Sequence, residues 1–320
     1  MFFIDLLKKL IYTISKIMKL RILQLNCLDL FIFIDQNLTK KIEEYSESEW
    51  QKLTYSLKGN KKLKHILELA KLIKKINPDI VLLNEVGGKE SLENFNKYFL
   101  QDKYNSEMKE KSKRGIDTGF LIKKKIKYQF TGYTKINIED KIYKFSRAIN
   151  HLSIIDNNKK ILNIFGVHLK SLRGDSSNPD IIETRYNEVK GLVHIMKECR
   201  KNDKCPYIVG GDFNGNATLK SHDFEFKFLY RHTSLRDIHD LNKSSELDRY
   251  SFVRLLRNNQ VEYNQIDYLM LSKDLHKKLK KVKRLLYRKN NSKQDHHIFT
   301  YDEKQELPSD HYPQFLEIKI

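Results

Sequence analysis

Three short polar motifs, far apart in the sequence, follow or interrupt apolar segments that have the composition of β-strands. They are Gly210-Gly211-Asp212-Phe213-Asn214, Gln265-Ile266-Asp267-Tyr268 and Ser309-Asp310-His311. A charged group inside an apolar segment is costly to bury unless it finds a partner. The edge of a sheet, where the ends of several strands meet, supplies such partners. The pattern therefore predicts one polar site, assembled from distant segments at the edge of a sheet.

The chain is long enough for a large hydrophobic core, and little in it suggests a domain boundary. Among its 320 residues, Pro and Gly number only 5 and 12, and no Pro-, Gly- or Ser-rich stretch marks a linker. The polar residues of interest extend from Asn26 to His311 without such a stretch between them. We therefore expect residues 18–320 to form a single domain.

Residues 1–17 are apolar enough to resemble a signal peptide, but they lack its other features. Lys8 and Lys9 interrupt the apolar run, and no small-residue cleavage site follows it. The apolar residues recur at helical spacing: Leu6, Leu7, Leu10, Ile11, Ile14 and Ile17. We expect an amphipathic helix appended to a domain that starts at Met18, with membrane association as the less favoured alternative.

The chain is strongly basic, with a formal net charge of +19 and a sequence pI of about 9.5. A basic surface attracts polyanions, which favours nucleic acid or another phosphate-rich ligand as the partner. The alternative is compositional, because Lys, Asn and Ile are abundant throughout the chain. The 3 cysteines show no metal-binding spacing, and their odd number favours a reducing, intracellular location. No feature predicts an oligomer, so a monomer is expected.

Apolar periodicity predicts that strands and helices both recur along the chain. Strands are expected at Leu20–Leu25, Asp79–Leu83, Gly119–Lys123, Phe145–Ile155, Ile161–His168, Tyr207–Val209, Tyr250–Val253, Val261–Leu271 and Pro313–Ile320. Helices are expected at Leu63–Ile76 and Ile181–Arg200. Strands joined by short turns argue against a purely parallel sheet. The predicted fold class is α/β (α+β), with a mixed sheet core flanked by helices.

Several common catalytic motifs are missing from the sequence. No Gly-rich loop is followed by Lys and Ser or Thr, which argues against a nucleotide hydrolase of the P-loop type. No Gly-x-Ser-x-Gly motif occurs, which argues against a serine hydrolase built on that turn. No cluster of His or Cys suggests zinc. The candidates that remain are rich in oxygen ligands.

Five residues supply carboxylate or amide oxygens, namely Glu85, Asp212, Asn214, Asp267 and Asp310. Oxygen ligands suit Mg²⁺ or Mn²⁺ better than zinc. His168 and His311 add imidazoles, which exchange protons near neutral pH or donate to phosphate oxygens. The sequence therefore suggests a divalent metal site next to groups capable of acid-base chemistry.

Each of these residues alone has an ordinary structural explanation. Glu85 could be a surface carboxylate that follows a strand, and Asp212 could cap a turn. Asp310-His311 could begin the last strand. Asp267 is harder to explain in this way, because it lies inside an apolar segment where a charge needs a partner. The combination favours a functional site over a set of solvated turns.

Together these segments resemble the successive motifs of the endonuclease/exonuclease/phosphatase superfamily. The resemblance is carried by Leu25-Asn26, Pro78-Asp79-Ile80-Val81-Leu82-Leu83-Asn84-Glu85-Val86, Gly166-Val167-His168-Leu169-Lys170-Ser171, Gly210-Gly211-Asp212-Phe213-Asn214, Gln265-Ile266-Asp267-Tyr268 and Ser309-Asp310-His311-Tyr312-Pro313. Asn84 departs from the Gln that commonly precedes the metal-binding Glu in that family. The resemblance covers nearly the whole chain from Met18 to Ile320. It implies a four-layer α-β-β-α sandwich with two mixed β-sheets.

The resemblance also implies roles for the acidic and amide residues. Glu85 would bind the divalent cation, Mg²⁺ or Mn²⁺, with Asn26 assisting. Asp310 would lie beside the metal or support the neighbouring histidine. Asp212 would orient or deprotonate the attacking water, and Asn214 would fix the position of that water.

The remaining implied roles concern the substrate phosphate. His311, oriented and kept basic or charged by Asp267, would contact the scissile phosphate, and His168 would donate to a phosphate oxygen. Three more basic residues are candidates for phosphate contacts: Arg147, Lys170 and Arg173. Arg147 is assigned through the short segment Phe145-Ser146-Arg147-Ala148, which resembles a phosphate-binding segment of the family.

The superfamily includes nucleases, deadenylases, sphingomyelinases and inositol polyphosphate 5-phosphatases, so the substrate needs a separate argument. The segments after His168 and before Gln265 resemble the DNase I-like bacterial branch. With the net charge, this favours a metal-dependent phosphodiesterase that cuts DNA or RNA. A phospholipid phosphodiesterase of the sphingomyelinase kind is the enzymatic alternative. A catalytically inactive binding module is disfavoured, because the family's core polar residues are all present.

Overall fold

The computed structural model describes residues 18–172, 179–256, 261–287 and 301–320. The predicted amphipathic helix in residues 1–17 and the candidate phosphate contact Arg173 lie outside the described residues. Within the described ranges, no helix is both long and apolar enough to cross a membrane.

The described part of the chain alternates strands and helices along its length. The strands are β1 (Lys19–Leu30), β2 (Ile80–Val86), β3 (Tyr104–Met108), β4 (Asp117–Lys123), β5 (Lys127–Ile138), β6 (Lys141–Asp156), β7 (Lys159–His168), β8 (Tyr207–Asp212), β9 (Arg236–Asp237), β10 (Phe252–Leu255), β11 (Val261–Asn264), β12 (Asp267–Leu271), β13 (Leu279–Arg284) and β14 (Gln314–Lys319). The α-helices are α1 (Glu47–Gln51), α2 (Leu63–Ile76), α3 (Gly88–Asn94), α4 (Pro179–Asp203), α5 (Phe224–His232), α6 (Ile238–Asn242), α7 (Glu246–Arg249) and α8 (Tyr301–Gln305). Short 3₁₀ turns occur at Ile42–Glu44 and Lys273–Lys278, and a π-helical turn at Phe95–Phe99.

The strands form two six-stranded mixed sheets and one small hairpin. The first sheet has the order β13-β14-β1-β2-β4-β3, and the second has the order β5-β6-β7-β8-β12-β9. In each sheet one central pair is parallel, β1 with β2 and β7 with β8. The hairpin of β10 and β11 stands apart from both sheets.

The two sheets pack face to face, and helices cover their outer faces. The layer between the sheets is aliphatic and includes Ile22, Ile80 and Ile164. Helix α2 packs on the outer face of the first sheet, and α4 and α5 pack on that of the second. The predicted four-layer α-β-β-α sandwich is confirmed.

On the strand faces that lie between the two sheets, the residues change from aliphatic to polar at one end of the sandwich. On β1, Leu20 and Ile22 belong to the aliphatic layer, whereas Gln24 and Asn26, on the same face two and four residues later, are buried polar residues. The other strands repeat this change with buried polar residues at the same end: Asn84, Thr118, Asn150, His168, Asp212, Asp267 and Gln314. One end of the layer between the sheets is therefore built for polar chemistry.

The prediction of one strand over Val261–Leu271 is wrong. The segment divides into β11 and β12, which lie in different sheets. The hydroxyl of Ser251 causes the break, because its Oγ accepts hydrogen bonds from the backbone N–H groups of Ile266 (3.0 Å) and Asp267 (2.8 Å). Asp267 thus begins a strand, where its side chain reaches the polar end of the sandwich.

The sequence did not predict four of the strands, β3, β5, β9 and β13, and all four are edges of the two sheets. Edge strands keep one side in solvent and often carry charge, which prevents pairing with other chains. The sequence of β13 is Leu-Lys-Lys-Val-Lys-Arg, with no buried residue. Such strands lack the apolar pattern on which the prediction depends.

Candidate active site

The ends of five strands bring the predicted site residues together at the polar end of the sandwich. Glu85, His168 and Asp212 lie near the carboxyl ends of β2, β7 and β8. Asp267 begins β12, which runs antiparallel to β8, so that Asp267 pairs directly with Asp212 in the sheet. His311 precedes β14 and forms a bridge with Phe252 of the hairpin. Residues distant in sequence thus converge on one site.

Glu85 enters the site through a distortion of strand β2. Its φ of 59° lies in the left-handed region, which non-glycine residues rarely occupy. The register with both neighbouring strands shifts around this position. The carboxylate accepts hydrogen bonds from Asn26 Nδ2 (3.2 Å) and the Asp29 backbone N–H (3.3 Å). Strained backbone of this kind is often found at functional sites.

A tight turn after β8 fixes Asp212 and Asn214. Gly211 has a φ of 139°, and a Cβ at this position would lie 1.9 Å from the carbonyl oxygen of Val167, so only glycine fits. Asn214, with a φ of 51°, donates its backbone N–H to Asp212 Oδ1 (2.8 Å). Asn26 Nδ2 donates to Asp212 Oδ2 (3.1 Å). Both carboxylate oxygens of Asp212 are therefore held in place.

His311 and Asp267 form a buried hydrogen-bonded pair, with 2.7 Å between His311 Nδ1 and Asp267 Oδ2. Gln24 Nε2 donates to the other oxygen of Asp267 (2.8 Å). Burial alone would lower the pKa of His311, but the charge and hydrogen bond of Asp267, with help from Asp310 and Asp212, outweigh burial and raise it to about 10. His311 is therefore protonated at neutral pH.

In contrast to His311, both Asp212 and His168 have pKa values that are shifted towards their neutral forms. Burial, followed by the charge of Asp267, raises the pKa of Asp212 to about 7. Burial, followed by the charge of Arg147, lowers the pKa of His168 well below its usual value. His168 Nε2 lies 3.5 Å from Asp212 Oδ2. His168 is thus a neutral imidazole beside a carboxylate that takes up a proton near neutral pH.

Two overlapping groups of side chains have ligand atoms within 4.8 Å of one another: Glu85, His168 and Asp212 in one, and Asp212, Asp267 and His311 in the other. In the first group, the carboxylates of Glu85 and Asp212 face a neutral imidazole and the amide of Asn26, and no Lys or Arg of the described residues forms an ion pair with either carboxylate. A divalent cation would supply the missing charge, and the oxygen donors suit Mg²⁺ or Mn²⁺. The residues present therefore fit a metal ion at Glu85.

Asp310 lies on the His311 side of the site. Its Oδ2 is 3.0 Å from Lys304 Nζ, and its Oδ1 is 3.8 Å from His311 Nε2. Of the two roles that the family resemblance implied for Asp310, these contacts favour support of His311 over a position beside the metal.

The predicted phosphate contacts lie next to His168. Arg147 is on β6, and its buried Nε has no hydrogen-bond partner among the described residues. Its positive charge contributes to lowering the pKa of His168. Lys170 follows the end of β7, and its backbone N–H donates to Glu188 Oε2 (2.7 Å). Arg147 therefore has an unused donor at the rim of the site.

Two buried amides that the sequence analysis did not select connect the sheets beneath the site. Gln24 Nε2 donates to Asn84 Oδ1 (3.2 Å) as well as to Asp267. Asn84 Oδ1 also accepts the backbone N–H of Asp212 (3.2 Å), and its Nδ2 donates to the Val167 carbonyl (2.8 Å). Gln24 was detectable in the sequence, because it interrupts an apolar strand on the face of Leu20 and Ile22.

Helix α4 contributes two buried charges that the sequence analysis also missed. Arg185 donates to the carbonyl oxygen of Asn214 (2.7 Å) and forms an ion pair with Glu225. Glu188 accepts the backbone N–H groups of Ser146 and Lys170, each at 2.7 Å. One face of α4 therefore holds three backbone segments of the rim. The spacing of three residues in a helix places both charges on that face.

The sequence matches no known family model and no curated protein. Solved structures do resemble this one. D. rerio TDP2, complexed with a single-strand DNA product, has a TM-score of 0.59 and 16% identity, over 93% of this chain and 98% of that chain. An endonuclease/exonuclease/phosphatase family protein from Bacteroides thetaiotaomicron has a TM-score of 0.58 and 13% identity, over 95% and 96%. The human Nocturnin catalytic domain, with a bound sulfate anion, has a TM-score of 0.57 and 16% identity, over 93% of each chain.

These similarities extend over nearly the whole of each chain, and the identities are low. They agree with the order of layers in the sandwich. The chain therefore has the DNase I-like fold of the endonuclease/exonuclease/phosphatase superfamily.

Proposed function

We propose that the protein is a divalent-metal-dependent phosphodiesterase that hydrolyses the backbone of DNA or RNA. The observation that carries the proposal is the position of Asp212, whose carboxylate lies within 4.8 Å of ligand atoms of both Glu85 and His311. Glu85 offers a metal ligand on one side, and protonated His311 offers a hydrogen-bond donor on the other. A phosphodiester between them would meet a cation, a base and an acid.

The proposed chemistry follows from the state of each side chain. Glu85, with Asn26, would hold the cation, which when bound supplies positive charge that polarises a phosphoryl oxygen. Asp212 would orient a water molecule and take its proton, because burial and the charge of Asp267 raise its pKa and make it a stronger base than an exposed aspartate. His311 would donate a hydrogen bond to the phosphate, and Asp267 would keep its imidazole protonated and correctly oriented.

The neighbouring side chains would bind the non-reacting phosphate oxygens. Arg147 has a buried N–H donor without a partner among the described residues, which is costly unless a ligand accepts from it. His168 lies beside it as a neutral imidazole. Lys170 and Arg173 stay candidates for contacts with adjacent phosphates.

Nucleic acid is the preferred substrate for two reasons. The net charge of +19 suits a polyanion, because each neutralised phosphate releases counterions and strengthens binding. D. rerio TDP2, which resembles this chain in fold, is complexed with single-strand DNA.

The test is hydrolysis of plasmid DNA, single-stranded DNA and RNA with Mg²⁺, with Mn²⁺ and with EDTA. Bis(p-nitrophenyl) phosphate is included as a small phosphodiester without bases. We expect hydrolysis with a metal and none with EDTA. A preparation that cleaves none of these substrates with either metal would refute the proposal.

A further inference from the structure

A second surface, outside the residues that would act on the phosphate, lies against the Glu85 end of the site. It consists of an apolar platform, formed by Phe31, Phe33, Tyr55 and Leu57, and a basic loop, residues 109–114. The apolar platform is joined to the site through the backbone, because the Gly87 N–H donates to the Leu30 carbonyl (2.9 Å) and Phe31 follows directly. A ligand held at Glu85 would therefore extend over this surface.

The apolar platform exposes aromatic rings and the side chain of Leu57 to solvent. Phe31 and Phe33 are half-buried and stacked, with ring centroids 5.9 Å apart. Tyr55 is 75% exposed and Leu57 is fully exposed. The turn that carries them is well ordered by hydrogen bonds, since Asp35 Oδ2 accepts from the backbone N–H of Tyr55 (2.7 Å). Exposed rings on a fixed turn are suited to stack with flat ligands.

The basic loop carries four exposed cations and one acid, with the sequence Lys109-Glu110-Lys111-Ser112-Lys113-Arg114. Among the ion pairs within the described ranges, none involves a cation of this loop. Glu110, whose Oε1 accepts the backbone N–H of Lys89 (2.8 Å), offsets only one of these four charges. The loop therefore offers unneutralised positive charge to a ligand.

Two contacts fix the basic loop between the apolar platform and the site. Lys58 Nζ donates to the Arg114 carbonyl (2.5 Å) and lies 4.7 Å from the centre of the Phe31 ring. At its other side, the backbone N–H of Lys111 donates to Asp117 Oδ2 (3.0 Å), and Asp117 pairs with Val86, the residue after Glu85. The loop thus extends from the stacked rings to the Glu85 end of the site.

We infer that this surface binds an unpaired segment of the nucleic acid substrate, with a base on the apolar platform and the backbone phosphates along the basic loop. This inference rests on the proposed function and adds that the substrate is single-stranded where it crosses the Glu85 end. Single-strand binding proteins combine these two elements, a cationic track and aromatic rings on which bases stack. A base inside a duplex has both faces covered and is not available to the rings.

The experiment measures binding and turnover separately. Binding of a fluorescent oligothymidylate of about ten nucleotides is followed by anisotropy in EDTA, with a duplex of the same length in parallel. The variants are Tyr55→Ala with Leu57→Ala, and Lys111→Ala with Lys113→Ala. All four side chains are exposed, so the variants are expected to fold. Ile142→Ala, an exposed residue on another part of the surface, is the matched control.

The platform variant should bind the oligonucleotide about tenfold more weakly, since stacking contributes roughly 1–3 kcal/mol per base. The basic-loop variant should also bind more weakly. The slope of log binding constant against log salt concentration should be less steep by about 0.7 for each phosphate that the loop no longer neutralises. Both variants and the control should keep wild-type turnover of bis(p-nitrophenyl) phosphate. Single strands should bind more tightly than the duplex.

Unchanged oligonucleotide affinity in both variants would overturn the inference while leaving the proposed function intact, provided the wild type still cleaves. A wild type that cleaves no phosphodiester would overturn the proposed function, and the inference with it. Phosphatidylcholine and phosphatidylserine vesicles form a third arm. If the platform variant loses vesicle binding and keeps oligonucleotide affinity, the surface is a membrane contact and the inference is wrong.

Discussion

The two halves of the candidate site balance buried charge in different ways. In the His311 half, the imidazolium and the Asp267 carboxylate neutralise each other at 2.7 Å. In the Glu85 half, the side-chain partners of Glu85 and Asp212 are the amide of Asn26 and the imidazole of His168, and no Lys or Arg of the described residues forms an ion pair with either carboxylate. The His311 half contains its own counter-charge, whereas we expect the Glu85 half to need a bound cation. The contrast fits the proposed function, in which a metal and an acid act from opposite sides of the phosphate.

Removing the imidazole of His311 should have the largest effect on activity. His311→Ala is expected to reduce kcat/KM by about 10³-fold, because acid-base side chains typically contribute about 10²- to 10⁴-fold. The measurement is hydrolysis of bis(p-nitrophenyl) phosphate, with circular dichroism to verify the fold. His222→Ala, at an exposed position, is the control. Turnover within a factor of two of the wild type would remove His311 from the mechanism.

Removing the carboxylate of Glu85 should abolish the stabilisation of the protein by metal ions. A cation that binds only the folded state, at about 100 times its Kd, adds roughly 2.7 kcal/mol of stability. Mg²⁺ or Mn²⁺ should therefore raise the Tm of the wild type and leave that of Glu85→Gln unchanged. Asp267→Asn, altered in the other half, should keep the metal-dependent rise in Tm. An equal rise in Glu85→Gln would mean that the cation binds elsewhere.

The pH dependence of the activity should test the His311 half separately. Asp267 raises the pKa of His311 to about 10, so the protonated form and the activity that needs it persist up to that pH and are lost above it. Without the charge of Asp267, burial lowers that pKa. Asp267→Asn should therefore lose activity at lower pH, with about a tenfold deficit at pH 9 for each unit by which the pKa falls below 9. Superimposable alkaline limbs in the two pH–rate profiles would contradict this assignment.

The smallest effects should come from helix α4, which supports the site from outside. Arg185→Lys should lower kcat by roughly three- to tenfold, because Arg185 holds the turn of Asp212 and Asn214. Glu188→Gln should mainly raise KM, because Glu188 holds the backbone next to Arg147 and Lys170. Arg200→Lys and Glu198→Gln, at the far end of the same helix, are matched controls. A lower apparent kcat with unchanged KM in both variants would indicate a general loss of folded protein.

The sequence predicted the parts of the fold that apolar patterns encode. The central strands bury both faces and have apolar sequences, so β1, β2, β7 and β8 were found, although β1, β2 and β8 extend three to five residues beyond their predicted ends. The edge strands lack this pattern and were missed. Val261–Leu271 was misread because the break within it depends on the hydroxyl of Ser251, a group from another segment.

The site was predicted to a similar extent. Motif residues such as Asp212 and Asp267 lie at strand ends and were selected. The backbone distortion that directs Glu85 into the site cannot be recognised in the sequence around it. Its φ of 59° accompanies register shifts with two neighbouring strands, which come from other parts of the chain. Arg185 and Glu188 lie on a helix whose apolar face dominates its pattern, and their contacts with the site are to backbone groups, which carry no sequence signal.

The hydrogen bonds that join the two sheets have a consequence for catalysis at different temperatures. At the polar end, Gln24 donates to Asp267 and Asn84 donates to the Val167 carbonyl, whereas the other end is held by aliphatic packing. Aliphatic packing is non-directional, but hydrogen bonds weaken steeply with misalignment. Small sliding motions between the sheets would disturb the site before the core opens. The temperature optimum of the proposed activity would then reflect the alignment of the sheets and would lie below the melting temperature of the core.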